Sequence, residues 1–125
     1  MKTAFTIAIF CAGGGVTRFY LTGWVHSLLG RAFPYGTLAV NIIGAYLVGL
    51  VMEACIRSTH IPDTLRLGVT VGFLGGLTTF SAFSYETFSL IEDGQFLVAF
   101  ANIIANVAVC LMFTWLGIVT VRTLG

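Results

Sequence analysis

Adjacent glycines and hydroxyl side chains meet at one point of an apolar stretch. Gly75 and Gly76 are followed by Thr78, Thr79 and Ser81. Such a sequence favours an unwound turn, whose freed carbonyl oxygens can coordinate a small hard cation. Irregular backbone at membrane depth is tolerated only where it is buried in protein or lines a cavity. We therefore predict a helix break from Gly75 to Ser81, against the alternative of an unbroken helix whose hydroxyls bond back to its own carbonyls.

Two phenylalanines directly follow this predicted break. Phe80 and Phe83 are three residues apart, so they share one face of a helix. A phenyl ring has a positive edge. Two such edges beside a path could contact a small anion without trapping it. Ordinary core packing is the alternative interpretation.

A second polar pattern lies near the C-terminus. Asn102, Asn106, Cys110 and Thr114 recur every four residues and follow one helix face. Amides inside hydrocarbon are costly unless they meet a partner or water. The track therefore lines a polar path or supplies hydrogen bonds between helices, and the spacing fits both. Asn41, in another apolar segment, adds an amide with two N–H donors.

Charged residues inside the apolar segments are few. Arg18 either reaches the membrane surface with its long side chain or gives a vestibule a positive potential. Glu86 either pairs with Arg18 or caps a neighbouring helix. No nucleophile–base pair, cluster of metal ligands or phosphate-binding loop is present, so we predict that the chain is not an enzyme. The net charge of +1 gives no basis for binding nucleic acid.

The composition indicates an integral membrane protein. Hydrophobic residues make up 58% of the 125 residues and charged residues only 9%, with a mean hydropathy of +0.99. Soluble domains carry about 25% charged residues. About 20 apolar residues span a bilayer, and four segments meet this length. We predict one all-α domain, residues 1–125, whose transmembrane helices cover about 4–25, 37–56, 67–91 and 96–121.

The loops give a weak preference for orientation. Basic residues on the side of the termini outnumber those on the other side by a small margin, which is compatible with insertion both ways. Four helices also leave little room to enclose a polar path. We therefore predict an oligomer with the path between its protomers. The basic residues on the side of the termini are Lys2, Arg57, Arg66 and Arg122, against Arg31 and Arg18.

Three motifs together resemble one known family. The stretch Gly72–Glu86, GFLGGLTTFSAFSYE, closely resembles the third-helix signature of the Fluc (CrcB) fluoride channels. Gly36–Gly44, GTLAVNIIG, is similar to their second-helix motif, and Gly14–Arg18, GGVTR, to their first. The resemblance implies a fluoride-selective channel for passive export and fluoride resistance in the inner membrane of a bacterium. It also implies a dual-topology homodimer of two antiparallel protomers with two pores.

The resemblance also assigns roles to residues. It implies a structural sodium ion at the dimer centre, held by the main-chain carbonyls of Gly75 and Thr78. Asn102 and Asn106 stand where the family has tyrosine and serine, so the polar track departs from its usual composition. The residues assigned to the fluoride pathway are Asn41, Thr79, Phe80, Ser81, Phe83, Asn102, Asn106 and Thr114, with Arg18 at the vestibule.

Small proton-coupled multidrug exporters are the alternative. They share the short length, the four helices and the dual topology. They depend on a carboxylate embedded in the first helix, whereas the first apolar segment here contains Arg18 and no acidic residue.

Overall fold

The structure, a computed structural model that describes residues 1–125, is entirely helical. Each of its four helices is long and apolar enough to cross a membrane. This confirms the predicted all-α membrane architecture. Most helices run a few residues past the predicted segments, into flanking polar residues such as Asp63 and Arg122. The helices are α1 (Lys2–Leu29), α2 (Tyr35–Arg57), α3 (Asp63–Glu92) and α4 (Phe96–Leu124).

The third helix is broken, as predicted, but over a shorter stretch. Helix α3 leaves helical geometry only at Thr78 (φ −83°, ψ 156°) and Thr79 (φ −150°, ψ 115°). A second half-helix then runs from Phe80 to Glu92 and is capped by the Thr79 hydroxyl, which accepts a hydrogen bond from Ala82 N at 3.1 Å. Gly75 and Gly76, predicted to belong to the break, remain helical.

Close packing explains the helical glycine at position 76. A Cβ there would lie 2.5 Å from the carbonyl oxygen of Cys11 and 3.0 Å from Gly15 N, both on α1. On the facing helix, a Cβ at Gly14 would overlap the carbonyl oxygen of Phe73. Small residues at such positions let membrane helices approach backbone to backbone. Gly76 therefore serves the α1–α3 contact rather than backbone flexibility.

A similar contact joins α2 to α4. A Cβ at Gly49 would overlap Thr114 O, and one at Gly117 would overlap Tyr46 O. The Tyr46 and Thr120 hydroxyls lie 3.3 Å apart one turn further along. Most large apolar side chains of the protomer face outward, and the buried apolar cluster contains only three residues. Backbone proximity, rather than a large apolar core, therefore holds this pair of helices in register.

Replacing Gly117 by alanine should destabilise the protein by about 1–3 kcal/mol, the usual cost of overpacking. The new methyl group would meet backbone atoms of α2, which cannot turn aside as a side chain could. Thermal unfolding of the purified protein in detergent measures the effect. Gly23→Ala is the matched control, because no atom lies within 4 Å of its added Cβ. Equal melting temperatures for both variants would contradict the packing described here.

Candidate functional site

Asn41 of α2 holds the break in α3. Its Oδ1 accepts a hydrogen bond from Thr79 N at 2.8 Å, and its Nδ2 donates to Thr79 O at 3.2 Å. The two bonds satisfy main-chain groups that the interrupted helix cannot satisfy itself. Unpaired main-chain groups are costly in a membrane. The Asn41 amide therefore fixes the extended backbone at Thr79.

The same amide begins a chain of hydrogen bonds across three helices. Asn41 Nδ2 donates to Asn106 Oδ1 at 2.9 Å, and Asn106 Nδ2 donates to Asn102 Oδ1 at 3.0 Å. Asn102 Nδ2 then donates to Thr87 Oγ1 at 2.9 Å, and this hydroxyl donates to Phe83 O at 2.7 Å. The track of α4 is thus bonded to α2 on one side and to α3 on the other.

A cavity of about 410 Å³ opens beside this network. Its lining combines amides and hydroxyls with two phenyl rings. It brings together most of the site residues predicted from the sequence. Those that line it are Asn41, Gly75, Thr78, Thr79, Phe80, Phe83, Asn106 and Thr114.

A wider turn in α4 keeps the polar track aligned. Residues spaced by four drift about 40° per step around a regular α-helix. Between Ala105 and Val109 the helix adopts π geometry, whose turns hold more residues. This segment offsets the drift, so Asn106, Cys110 and Thr114 all reach the cavity.

The two phenylalanines form an edge-to-face pair at the cavity. Their ring centroids lie 5.3 Å apart with an interplanar angle of 61°. Phe83 is 7% exposed and belongs to the interior, whereas Phe80 is 77% exposed at the protomer surface. The sequence predicted a shared face but could not predict this difference in burial.

Three predicted site residues lie outside the cavity. Ser81 and Arg18 line a second cavity of about 510 Å³, which shares Thr79 with the first. The Ser81 and Thr79 hydroxyls lie 3.2 Å apart. Asn102 is fully buried and touches the cavity only through its hydrogen bonds to Asn106. It supports the track rather than lining the open space.

Sequence reasoning missed two threonines and left Glu86 open. Thr37 donates to Glu86 Oε1 at 2.7 Å, and both line the second cavity. The Glu86 carboxylate forms no salt bridge with Arg18, whose Nη1 instead donates to Thr78 O at 3.3 Å. Thr87 anchors the end of the amide chain. Thr37 lies within the motif Gly36–Gly44, so the sequence offered a signal for it. No motif or spacing in the sequence distinguished Thr87.

The first half-helix of α3 presents carbonyl oxygens at its end. In an unbroken helix Thr79 N would donate to Gly75 O, but it donates to Asn41 instead. The C-terminal end of a helix carries a partial negative charge, which favours cations. Gly75 O thus fits a sodium ligand. Thr78 O already accepts from Arg18, but a carbonyl oxygen has two lone pairs and can take a second partner.

Comparison with known proteins identifies the family. A family model described as "CrcB-like protein, Camphor Resistance (CrcB)" matches residues 5–118. The chain belongs to the CrcB family. The family membership and the location predicted from the sequence, a multi-pass protein of the bacterial inner membrane, are thereby confirmed. So is the prediction that the chain is not an enzyme, because curated members of the family are named as ion channels.

Curated CrcB relatives match along nearly the whole chain. The fluoride-specific ion channel FluC of Trichlorobacter lovleyi is 73% identical over 125 residues, covering all of both chains. The FluC of Pelobacter propionicus is 69% identical over 124 residues, covering 99% of this chain and 96% of that one. The FluC of Geotalea daltonii is 61% identical over 122 residues, covering 98% of each.

Proposed function

We propose that this CrcB protein is a fluoride-selective channel that lets fluoride leave the cell passively. The observation that carries the proposal is the cavity at the α3 break, which is lined by neutral amides, hydroxyls and two phenyl rings. The names of the curated relatives support fluoride as the ion. Passive export would lower cytoplasmic fluoride that entered as the neutral acid from acidic surroundings.

The chemistry of the lining suits a small, strongly hydrated anion. Such an ion needs donors that replace its water without holding it tightly, because conduction requires weak binding at several sites. Both N–H groups of Asn41 already face oxygen acceptors, at Thr79 and Asn106. A passing fluoride therefore exchanges with a neutral acceptor rather than breaking an ion pair. Phe80, Phe83 and Thr114 also line the cavity.

The surface around the break supports an antiparallel homodimer with two pores. Gly75 and Phe80, which line the cavity, are both exposed at the surface of the protomer. Amide and hydroxyl groups are costly to expose to lipid, and a second copy would close the cavity with protein instead. Two equivalent cavities would then give two pores per dimer.

Dual topology can be tested by labelling the C-terminus. We expect Gly125→Cys, in a protein whose three native cysteines are replaced by serine, to react with a membrane-impermeant maleimide from both sides. Inverted and right-side-out vesicles measure the two fractions, which should be comparable. Reaction from one side only would refute the antiparallel assembly.

A sodium ion at the dimer centre fits the carbonyls at the end of the first half-helix. Gly75 O and Thr78 O would hold it, and two antiparallel protomers would supply each oxygen twice. The ion would fix the two breaks against each other. We expect the melting temperature of the purified protein to rise with sodium chloride, because a ligand that binds only the folded state stabilises it. Equal melting temperatures in N-methyl-D-glucamine chloride would contradict a sodium site.

The multidrug-exporter alternative is not favoured. Helix α1 contains no carboxylate that could carry a coupled proton. Efflux from liposomes containing the purified protein tests the proposed function. We expect fluoride to leave, with chloride retained, when valinomycin balances the charge. Equal efflux of both ions, or of neither, would reject the proposed function.

A further inference from the structure

Two buried polar atoms near the C-terminal end of α1 have no hydrogen-bond partner within the protomer. They are Nε2 of His26 and Oε2 of Glu86. Buried polar atoms in folded proteins are nearly always paired. Because one atom belongs to an imidazole and the other to a carboxylate, they are chemically suited to pair with each other through a proton.

The start of α2 brings these two side chains together. His26 lies over Gly36, where an added Cβ would be 2.9 Å from Nε2. The next residue, Thr37, donates to Oε1 of Glu86 and leaves Oε2 free. Both side chains line one cavity of about 250 Å³, and the imidazole lies within electrostatic reach of the carboxylate.

This cavity leads toward the fluoride pathway. Glu86 and Tyr85 also line the cavity of about 510 Å³ that contains Arg18. That cavity shares Thr79 with the one at the α3 break. The three cavities are therefore neighbours and lie in order from the loop after α1 to Phe80. His26 and Glu86 line the cavity nearest that loop, which we call the mouth.

We propose that His26 and Glu86 bind a proton between them at the mouth of the pathway, and that this proton controls passage of the anion. With the proton bound, Nε2–H donates to Oε2, and the pair has no net charge. When the proton leaves to solvent, Glu86 keeps a negative charge that repels fluoride. The proposal deepens the fluoride function proposed above and rests on it.

Charged and titratable side chains also line the two cavities beside the pair. Arg31 and Asp93 line the outer cavity with opposite charges, and the Tyr85 phenol adds none in its neutral form. In the next cavity Arg18 is positive and donates to Thr78 O. Protonation of the pair therefore changes the net charge at the mouth by one unit.

Fluoride efflux at two pH values tests the control. Histidine changes its charge between pH 5 and 8, so efflux is measured at about pH 5.5 and about pH 7.5. Efflux from protein-free liposomes, which measures leakage of the neutral acid, is subtracted at each pH. We expect wild-type efflux to be on the order of threefold to tenfold faster at the lower pH, the effect of one screened charge near the path.

Two glutamine variants make the test specific. His26→Gln keeps a donor but cannot titrate, and its efflux should be the same at both pH values. His60→Gln, which changes the other histidine of the chain in an exposed loop, should behave as wild type. Wild-type pH dependence in His26→Gln, or no pH dependence in wild type, would overturn the proposal.

A second measurement does not depend on transport. In protein labelled with ¹⁵N-histidine, His26→Gln and His60→Gln assign the two imidazole signals. Glu86→Gln should change the pH titration of His26 and leave that of His60 unchanged. An unchanged His26 titration would refute the pair, even in a protein that conducts fluoride. A coupled pair in a protein without fluoride efflux would instead reject the proposed function.

Discussion

Asn41→Asp should reduce fluoride efflux by about 100-fold, the largest effect we expect from a single substitution. A unit charge about 5 Å from the passing anion costs roughly 3 kcal/mol at an effective dielectric constant of about 20. The aspartate carboxylate can still accept a hydrogen bond from Thr79 N. It lacks the two N–H groups that in the wild type donate to Thr79 O and Asn106 Oδ1. Initial efflux rates from liposomes, normalised to protein content, measure the change.

The control for this variant makes the same chemical change at a residue far from the break in sequence. Gln95→Glu also converts an amide to a carboxylate, but on an exposed residue at the start of α4. Its efflux should remain close to wild type. If Asn41→Asp and Gln95→Glu had the same rates, Asn41 would not lie on the pathway, and its role would be confined to holding the break.

Phe80→Ile should reduce fluoride efflux by about twofold to tenfold while leaving the protomer folded. The substitution keeps an apolar side chain but removes the positive ring edge and the edge-to-face pair with Phe83, interactions worth about 0.5–1.5 kcal/mol. Because the ring is 77% exposed in the protomer, little internal packing is lost. The same efflux assay applies, and gel filtration in detergent checks assembly.

Phe88→Ile provides the comparison on the same half-helix. Phe88 is 59% exposed and does not line the cavity at the break. We expect its efflux to be unchanged. Equal losses in both variants would point to a general effect on α3, and no loss in Phe80→Ile would return Phe80 to a packing role.

The sequence predicted the features that depend on local composition. Four apolar segments of spanning length determined the number of helices, and paired glycines next to three hydroxyls located the break. The prediction from the sequence began the break too early, because Gly75 and Gly76 suggested flexible backbone. In the structure Gly76 is helical, and its lack of a side chain allows close contact with α1. Composition alone does not distinguish these two uses of glycine.

Partners across helices were beyond sequence reasoning. The spacing of Asn102 and Asn106 predicted one polar face. It did not predict the π turn at Ala105–Val109 that keeps this face aligned. Asn102 is fully buried and donates a hydrogen bond to Thr87 of α3. No sequence motif links these two residues. Likewise, Glu86 could have paired with Arg18, and only the fold shows its bond to Thr37.

The central claim is that fluoride crosses this protein passively and selectively. The most direct test is the reversal potential of a planar bilayer containing the purified protein, with fluoride on one side and chloride on the other. We predict a current whose reversal potential lies far toward the value for fluoride permeation alone. A reversal potential near zero would contradict selectivity, and fluoride movement without any current would contradict a channel.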